Sequence, residues 1–164
     1  MMHPTALTIS PEHTRIRKPQ DVLIYLKTLR LHLLPGDTIV LSLNQDSRPI
    51  ARQYFPYNPV HTLGPHTQDI FKAAFAHKAA RIILISSHPL IRRGPFTPTE
   101  EQLNYAAQCS LAGQLLNLPI VDHLMVNETV CESLLLNFHN QLSRYALRYS
   151  QQHANPLLTN ICPN

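Results

Sequence analysis

Apolar positions fall at two periods along this chain, and the changes of period mark off its elements. After Pro19, the residues Val22, Leu23, Leu26, Leu29, Leu33 and Leu34 recur near helical spacing, with Pro35-Gly36-Asp37 as the stop. Thr38 to Leu43 is an apolar run of strand length, and Asn44-Gln45-Asp46-Ser47 is a turn into a second strand over Pro49 to Phe55. A Pro- and His-rich loop follows, from Pro56 to His66. Thr67 predicts a helix cap, with Asp69 in the first turn and Ile70, Phe71, Ala74 and Phe75 on the buried face. Arg81 to Ile85 is apolar almost throughout, the pattern of a central strand covered on both faces.

Thr97-Pro98-Thr99-Glu100 predicts a further helix, with Thr97 as cap and Glu100 three residues on. It runs to about Asn117 and turns Leu103, Ala106, Ala107, Leu111 and Leu115 inward. Pro119 to Val126 predicts another strand, and Glu132 to Tyr149 a last helix. The order αββαβαβα implies an α/β (α+β) fold, a mixed β-sheet flanked by helices. Residues 1–14 form an N-terminal arm in this reading, 15–137 the domain, and 138–164 the end of the last helix and a tail.

Composition narrows the class. A chain of 164 residues that is 44% hydrophobic and 15% charged carries one real core and is not disordered. Fourteen Lys and Arg against ten Asp and Glu give a charge of +4, too weak alone to indicate nucleic acid. Ten histidines raise metal or proton chemistry. Cys109, Cys131 and Cys162 form no CxxC pair, which fits a reducing compartment and not a disulfide scaffold. The best apolar run, Ile82 to Ile85, is strand-sized, and no basic-then-apolar leader opens the chain; a soluble cytoplasmic protein without membrane contact is expected. Four scattered glycines leave no phosphate-cradling loop.

In sheets of this kind chemistry gathers where a central strand ends and its loop turns to a helix. That place is Ser86-Ser87-His88-Pro89. Taken alone, a His in such a place is more often structural than a ligand.

The blocks around it are more telling. Asp69 to Phe75, Ala79 to Ile85 and then His88-Pro89 resemble the RadC-like branch of the JAMM (JAB/MPN) metalloprotease-fold proteins. Thr97-Pro98-Thr99, Ala112-Gly113-Gln114-Leu115-Leu116 and Val121-Asp122-His123-Leu124-Met125-Val126 continue the likeness in order. Upstream, Pro19 to Val22 and Leu41 to Ala51 belong to it too, so it spans about Arg15 to Val130. The resemblance implies a JAMM or cytidine deaminase-like architecture and a mononuclear zinc site. Two His of a His-x-His-Pro motif and an Asp in the next helix hold the metal. A Glu on an earlier strand takes the proton of zinc-bound water, and a Ser stabilises the oxyanion.

Carried onto this chain, that pattern is largely replaced. Ser86 stands at the first ligand, His88 keeps the second, and Gln102 falls at the Asp. Thr99 falls at the Ser and Gln53 at the general base. Ser86 is a poor zinc ligand, an amide oxygen suits harder cations, and Gln53 has no useful basicity. The loop after His88 is longer than the family's and carries Leu90-Ile91-Arg92-Arg93, which makes the entrance basic. Glu100 or Glu101 replaces Gln102 only if the helix shifts register, since one residue turns the side chain by about 100 degrees. A rebuilt site would draw on His61, His66 or His123, whose ordinary roles are an exposed loop for the first two and a hydrogen-bonded strand residue for the third. The His-x-Glu and Pro-Cys-x-x-Cys elements of the base deaminases are absent.

The expectation is therefore a catalytically inactive metalloprotease homologue acting as a binding or scaffold module. It needs no cofactor, or zinc if the site is rebuilt. A protein or peptide is the expected partner. The alternatives are a zinc-dependent metallopeptidase or isopeptidase with a rearranged site, and a DNA-repair-associated accessory protein touching phosphates through Arg15, Arg17, Lys18, Arg92 and Arg93. A second copy of the chain is a further partner, through a stripe of Leu134, Leu135, Leu136 and Phe138.

Overall fold

Three helices that feed the sheet end in the same way, and their ends set its frame. In the computed structural model, which describes residues 14–87, 96–127 and 130–152, the first helix α1 spans Pro19–Thr28. Pro19 opens it, and the Asp21 carboxylate accepts the amides of Arg17 and Lys18 at 2.8 and 3.1 Å. Arg30 then takes a left-handed φ of 51°, and Leu31 N–H donates back to the Leu26 carbonyl at 3.0 Å. This Schellman closure stops the helix well before Leu33 and Leu34, although leucines continue at helical spacing. Lys78 and Asn117, with φ of 54° and 53°, close α2 (Thr67–Ala76) and α3 (Glu100–Leu115) likewise.

The strands are β1 (Thr38–Leu43), β2 (Pro49–Phe55), β3 (Arg81–Ser87), β4 (Ile120–Val126) and β5 (Cys131–Ser133), in the sheet order β2-β1-β3-β4-β5. Only β3 and β4 pair in parallel, with α3 as the crossover; the other pairs are antiparallel. The sheet is thus mixed, with helices packed on it, as the order of elements implies.

One sheet face, with Ile39, Leu41, Ile83, Ile85 and Leu124, packs on Val22 and Leu26 of α1. The other, with Val40, Ile82, Leu84 and Ile120, packs on α2 through Ile70, Phe71 and Ala74 and on α3 through Cys109. Beyond the sheet, α4 (Leu134–Asn137) and α5 (His139–Gln152) close a third cluster, in which Leu134 and Leu142 meet Leu103, Ala106 and Ala107. Gly113 lets α3 lie close on β4, because a Cβ there would stand 2.8 Å from the Leu118 carbonyl oxygen.

Several expectations are corrected. The single helix over Glu132 to Tyr149 is a short strand and two helices: Glu132 lies in β5 opposite Met125, Ser133 caps α4, and Phe138 separates α4 from α5. Thr97 does not cap α3; Thr99 does. Thr67 is the first residue of α2, and its cap, His66, makes no side-chain bond. Phe75 and Leu115 are exposed, at 52% and 79%, and not on buried faces. His88, Arg92 and Arg93 lie outside the described residues, as do most of the arm and the tail beyond residue 152. Of the stripe expected from Leu134 to Phe138, Leu134 is fully buried, Leu135 and Phe138 are partly so, and Leu136 alone is strongly exposed.

Candidate functional site

Strand alternation decides which polar groups meet. Ile82, Leu84 and Ser86 share the face of β3 that looks toward α2 and α3, and register sets Thr38 of β1 beside Ser86 and His123 of β4 beside Leu84. Ser86 Oγ lies 3.3 Å from Thr38 Oγ1 and 3.0 Å from His123 Nε2. All three residues are buried, His123 at 3% exposure and Ser86 at 7%.

The imidazole is neutral at pH 7, since burial pushes its pKa down to about 4. Its Nδ1 is buried and has no hydrogen-bond partner among the described residues. The tautomer with Nε2–H donating to Ser86 leaves an unpaired acceptor there; the other leaves an unpaired donor. Tyr105 of α3 sets its ring edge-on to His123, 6.0 Å between centroids, and its hydroxyl donates to the Pro65 carbonyl at 2.6 Å. Burial raises the pKa of Tyr105 and pushes the neighbouring Cys109 thiol up to about 12.

A Ser–His pair at this distance has the geometry of a nucleophile and its base, but no third partner stands among the described residues. Asp122 follows the other side of the strand. Its Oδ1 accepts from the Ser133 hydroxyl at 2.7 Å and from the His123 backbone N–H at 2.8 Å, not from the imidazole. Burial raises its pKa, and these hydrogen bonds partly oppose that. Since Ser133 Oγ in turn accepts from Leu136 N–H, Asp122 braces the start of α4. The pair is buried, and no described residue orients Nδ1.

Thr99 and Gln102 are brought together, but by each other. Thr99 Oγ1 accepts the Gln102 amide at 3.2 Å, and Gln102 Oε1 accepts the Thr99 amide at 2.9 Å. That reciprocal capping box occupies both side chains at the N-terminus of α3. Gln53 stands on the edge strand opposite Val40, exposed, with only a long 3.5 Å contact from its amide to the Tyr54 carbonyl. Sheet geometry puts β1 between Gln53 and Ser86, offset by two residues, so their Cα atoms stand roughly 12 Å apart and no described hydrogen bond links them.

The expected exposed loop holds for His66 and not for His61. His61 is half-buried and His66 exposed; their ring centroids stand 3.9 Å apart, and they line a cavity of about 270 Å³ with Thr38, Tyr57 and Asp69. Among the described residues, no three His, Cys, Asp or Glu are placed to hold a metal together. Sequence reading missed Thr38, Tyr105 and Asp37. The last is a fully buried carboxylate that accepts from Leu34 N–H at 2.8 Å, Tyr54 O–H at 2.6 Å and Tyr57 N–H at 3.0 Å. It ties the start of β1 to the end of β2 and raises the pKa of Tyr54 through that hydrogen bond.

A five-stranded mixed sheet whose parallel pair is bridged by one helix, with Ser86 and Ser87 at the end of its middle strand, is the arrangement of a JAB-type domain. The chain belongs to the RadC-like JAB domain family, whose profile matches residues 16–140. It is similar to a UPF0758 protein of Caldanaerobacter subterraneus, 27% identical over 122 residues, which covers 74% of this chain and 51% of that protein. A UPF0758 protein of Desulforamulus reducens is 28% identical over 131 residues, 78% of this chain and 56% of its own length. One of Bacillus cereus is 28% identical over 113 residues, 69% of this chain and 49% of its own. The chain therefore spans about half the length of the curated relatives it matches.

Proposed function

We propose that this RadC-like JAB domain binds instead of cleaving, as a catalytically inactive metalloprotease homologue that holds a protein or peptide partner. The observation that carries this reading is the bonding of the substituted side chains. Ser86 is spent on Thr38 and His123, while Thr99 and Gln102 are spent on one another. Gln53 is exposed on an edge strand and carries an amide where a proton acceptor is needed.

The fold family implies zinc, and the described donor set does not fit it. A buried hydroxyl and a capping amide are weak, neutral oxygen donors, whereas zinc prefers imidazole, thiolate or carboxylate. No hydrolytic step runs through such a set. One observation favours the competing reading of a rearranged zinc peptidase. His123, with its unpartnered Nδ1, is a buried imidazole on the same sheet face as Ser86.

Zinc content after chelator-free purification, paired with a peptidase assay with and without chelator, separates the two. The binding reading expects substoichiometric zinc and no chelator-sensitive turnover. Stoichiometric zinc that disappears in His88→Ala would establish the peptidase reading instead.

A further inference from the structure

The molecule has a second concave place, at the opposite end of β3 and on the opposite sheet face from Ser86. It is a cavity of about 480 Å³, enclosed by the segment leading into α1, the turn after β1, the starts of β3 and β4, and α4. Four basic side chains line it: Arg15, Arg17, Lys18 and Arg81. Its floor is aliphatic, with Val22, Leu43, Ile83 and Leu124.

The cations are only partly neutralised. Arg15 donates to the Asp46 carbonyl at 2.8 Å and stands 3.9 Å from its carboxylate, both groups being exposed. Arg81 Nη1 donates to Ser47 Oγ at 3.0 Å, a neutral partner. No described side-chain contact engages the Arg17 guanidinium or the Lys18 ammonium. The nearest acid, Asp21, is turned to their backbone amides. Asp122, a carboxylate on the cavity wall, already accepts from Ser133 and the His123 amide.

The segment is also held in place. Ile16 N–H donates to the Ser47 carbonyl at 2.9 Å, so the strap bearing Arg15, Arg17 and Lys18 is fastened to the turn that bears the partner of Arg81. Guanidinium groups carried on a fastened backbone around an apolar floor are the chemistry that recognises a phosphate through charge-assisted, forked hydrogen bonds. The size suits one small ligand or one nucleotide unit. Among the described lining residues none is aromatic, so nothing stacks on a base, and recognition falls on the phosphate.

We infer that this cavity binds a phosphate-bearing anion, with Arg17, Lys18 and Arg81 on the phosphate and the aliphatic floor beneath the rest, without discrimination by base. This site is independent of the reading given for Ser86 and its neighbours. The same phosphate chemistry is offered by a free nucleotide and by a nucleic-acid end.

The full chain is titrated at low salt with inorganic phosphate, a nucleoside monophosphate and a single-stranded oligonucleotide with a terminal phosphate, read by amide NMR shifts. Saturable shifts are expected at Ile16, Lys18, Ser47 and Arg81. Arg17→Glu and Arg81→Ala should each weaken binding about tenfold. Arg17→Glu replaces an exposed side chain, so its circular dichroism and melting should match the parent and keep the test valid if Arg81→Ala fails to fold. Saturation by the mononucleotide identifies a free nucleotide as the ligand; saturation by the oligonucleotide alone, steeply lost with salt, identifies nucleic acid. The absence of saturable shifts at the cavity with all three probes, or binding indifferent to Arg17→Glu, overturns the site.

Discussion

The two ends of β3 treat polar groups in opposite ways. Near its C-terminal end Ser86 is held between Thr38 and His123, and the imidazole is neutral because burial disfavours its charged form. At its first residue, Arg81 looks onto a cavity shared with three more cations, two of which lack side-chain partners among the described contacts. One strand therefore carries both a dry pair that satisfies itself and a wet group with bonding capacity to spare. Capacity to bind lies where hydrogen-bond demand is unmet and water can be displaced, and a buried pair closed on itself offers little of it.

The comparison can be broken at its common support. Leu84 sits between the ends, fully buried in the layer under α2 and α3. Leu84→Ala is expected to cost about 2–5 kcal/mol by loss of transfer energy and by the cavity left behind, measured as a shift of the urea midpoint. A smaller loss would mean the layer collapses readily and does not hold the two ends apart.

The dryness of the Ser86 end is sharpened by pH. His123 has a native pKa of about 4 against 6.5 when unfolded. The unfolded chain takes up a proton there first, so this contribution is complete above pH 6.5 and is lost as pH falls toward 4. Between pH 7 and pH 5 it amounts to about 2 kcal/mol, read from urea unfolding at the two pH values. His123→Gln should flatten that part of the profile; an unchanged slope would assign it elsewhere.

The smallest effect concerns the capping box. Thr99→Ala should cost about 1 kcal/mol, and Gln102→Ala added to it should cost less than it does alone, because the two share one interaction. Additive losses in thermal melts would show that each side chain has a separate role.

Much of the frame is legible from the chain. The runs Thr38 to Leu43, Pro49 to Phe55 and Arg81 to Ile85 are strands because β-branched and apolar residues alternate or accumulate between turn residues. The helix ends are less legible, since the left-handed closing positions hold Arg30, Lys78 and Asn117, not glycine. β5 escapes because three residues leading into Leu134-Leu135-Leu136 read as helix, and only pairing with β4 makes them a strand. The site divides similarly. Ser86, Thr99 and Gln102 are found by likeness, whereas the partner of Ser86, Thr38, lies 48 residues away in sequence. Local pattern carries no signal for such a pairing. The basic cavity shows a trace in the Arg15, Arg17, Lys18 cluster, but the arrival of Arg81 beside it depends on the fold.

The sheet's two borders are unequal, and that inequality limits how an assembly can extend it. On one side β5 is three residues long and passes at once into α4, so it offers almost no length of backbone to a further strand. On the other, β2 runs for seven residues with its outer hydrogen-bonding groups unmatched among the described residues, less the donor that Pro49 lacks. Extension by another chain has one direction open to it, alongside Ile50 to Phe55.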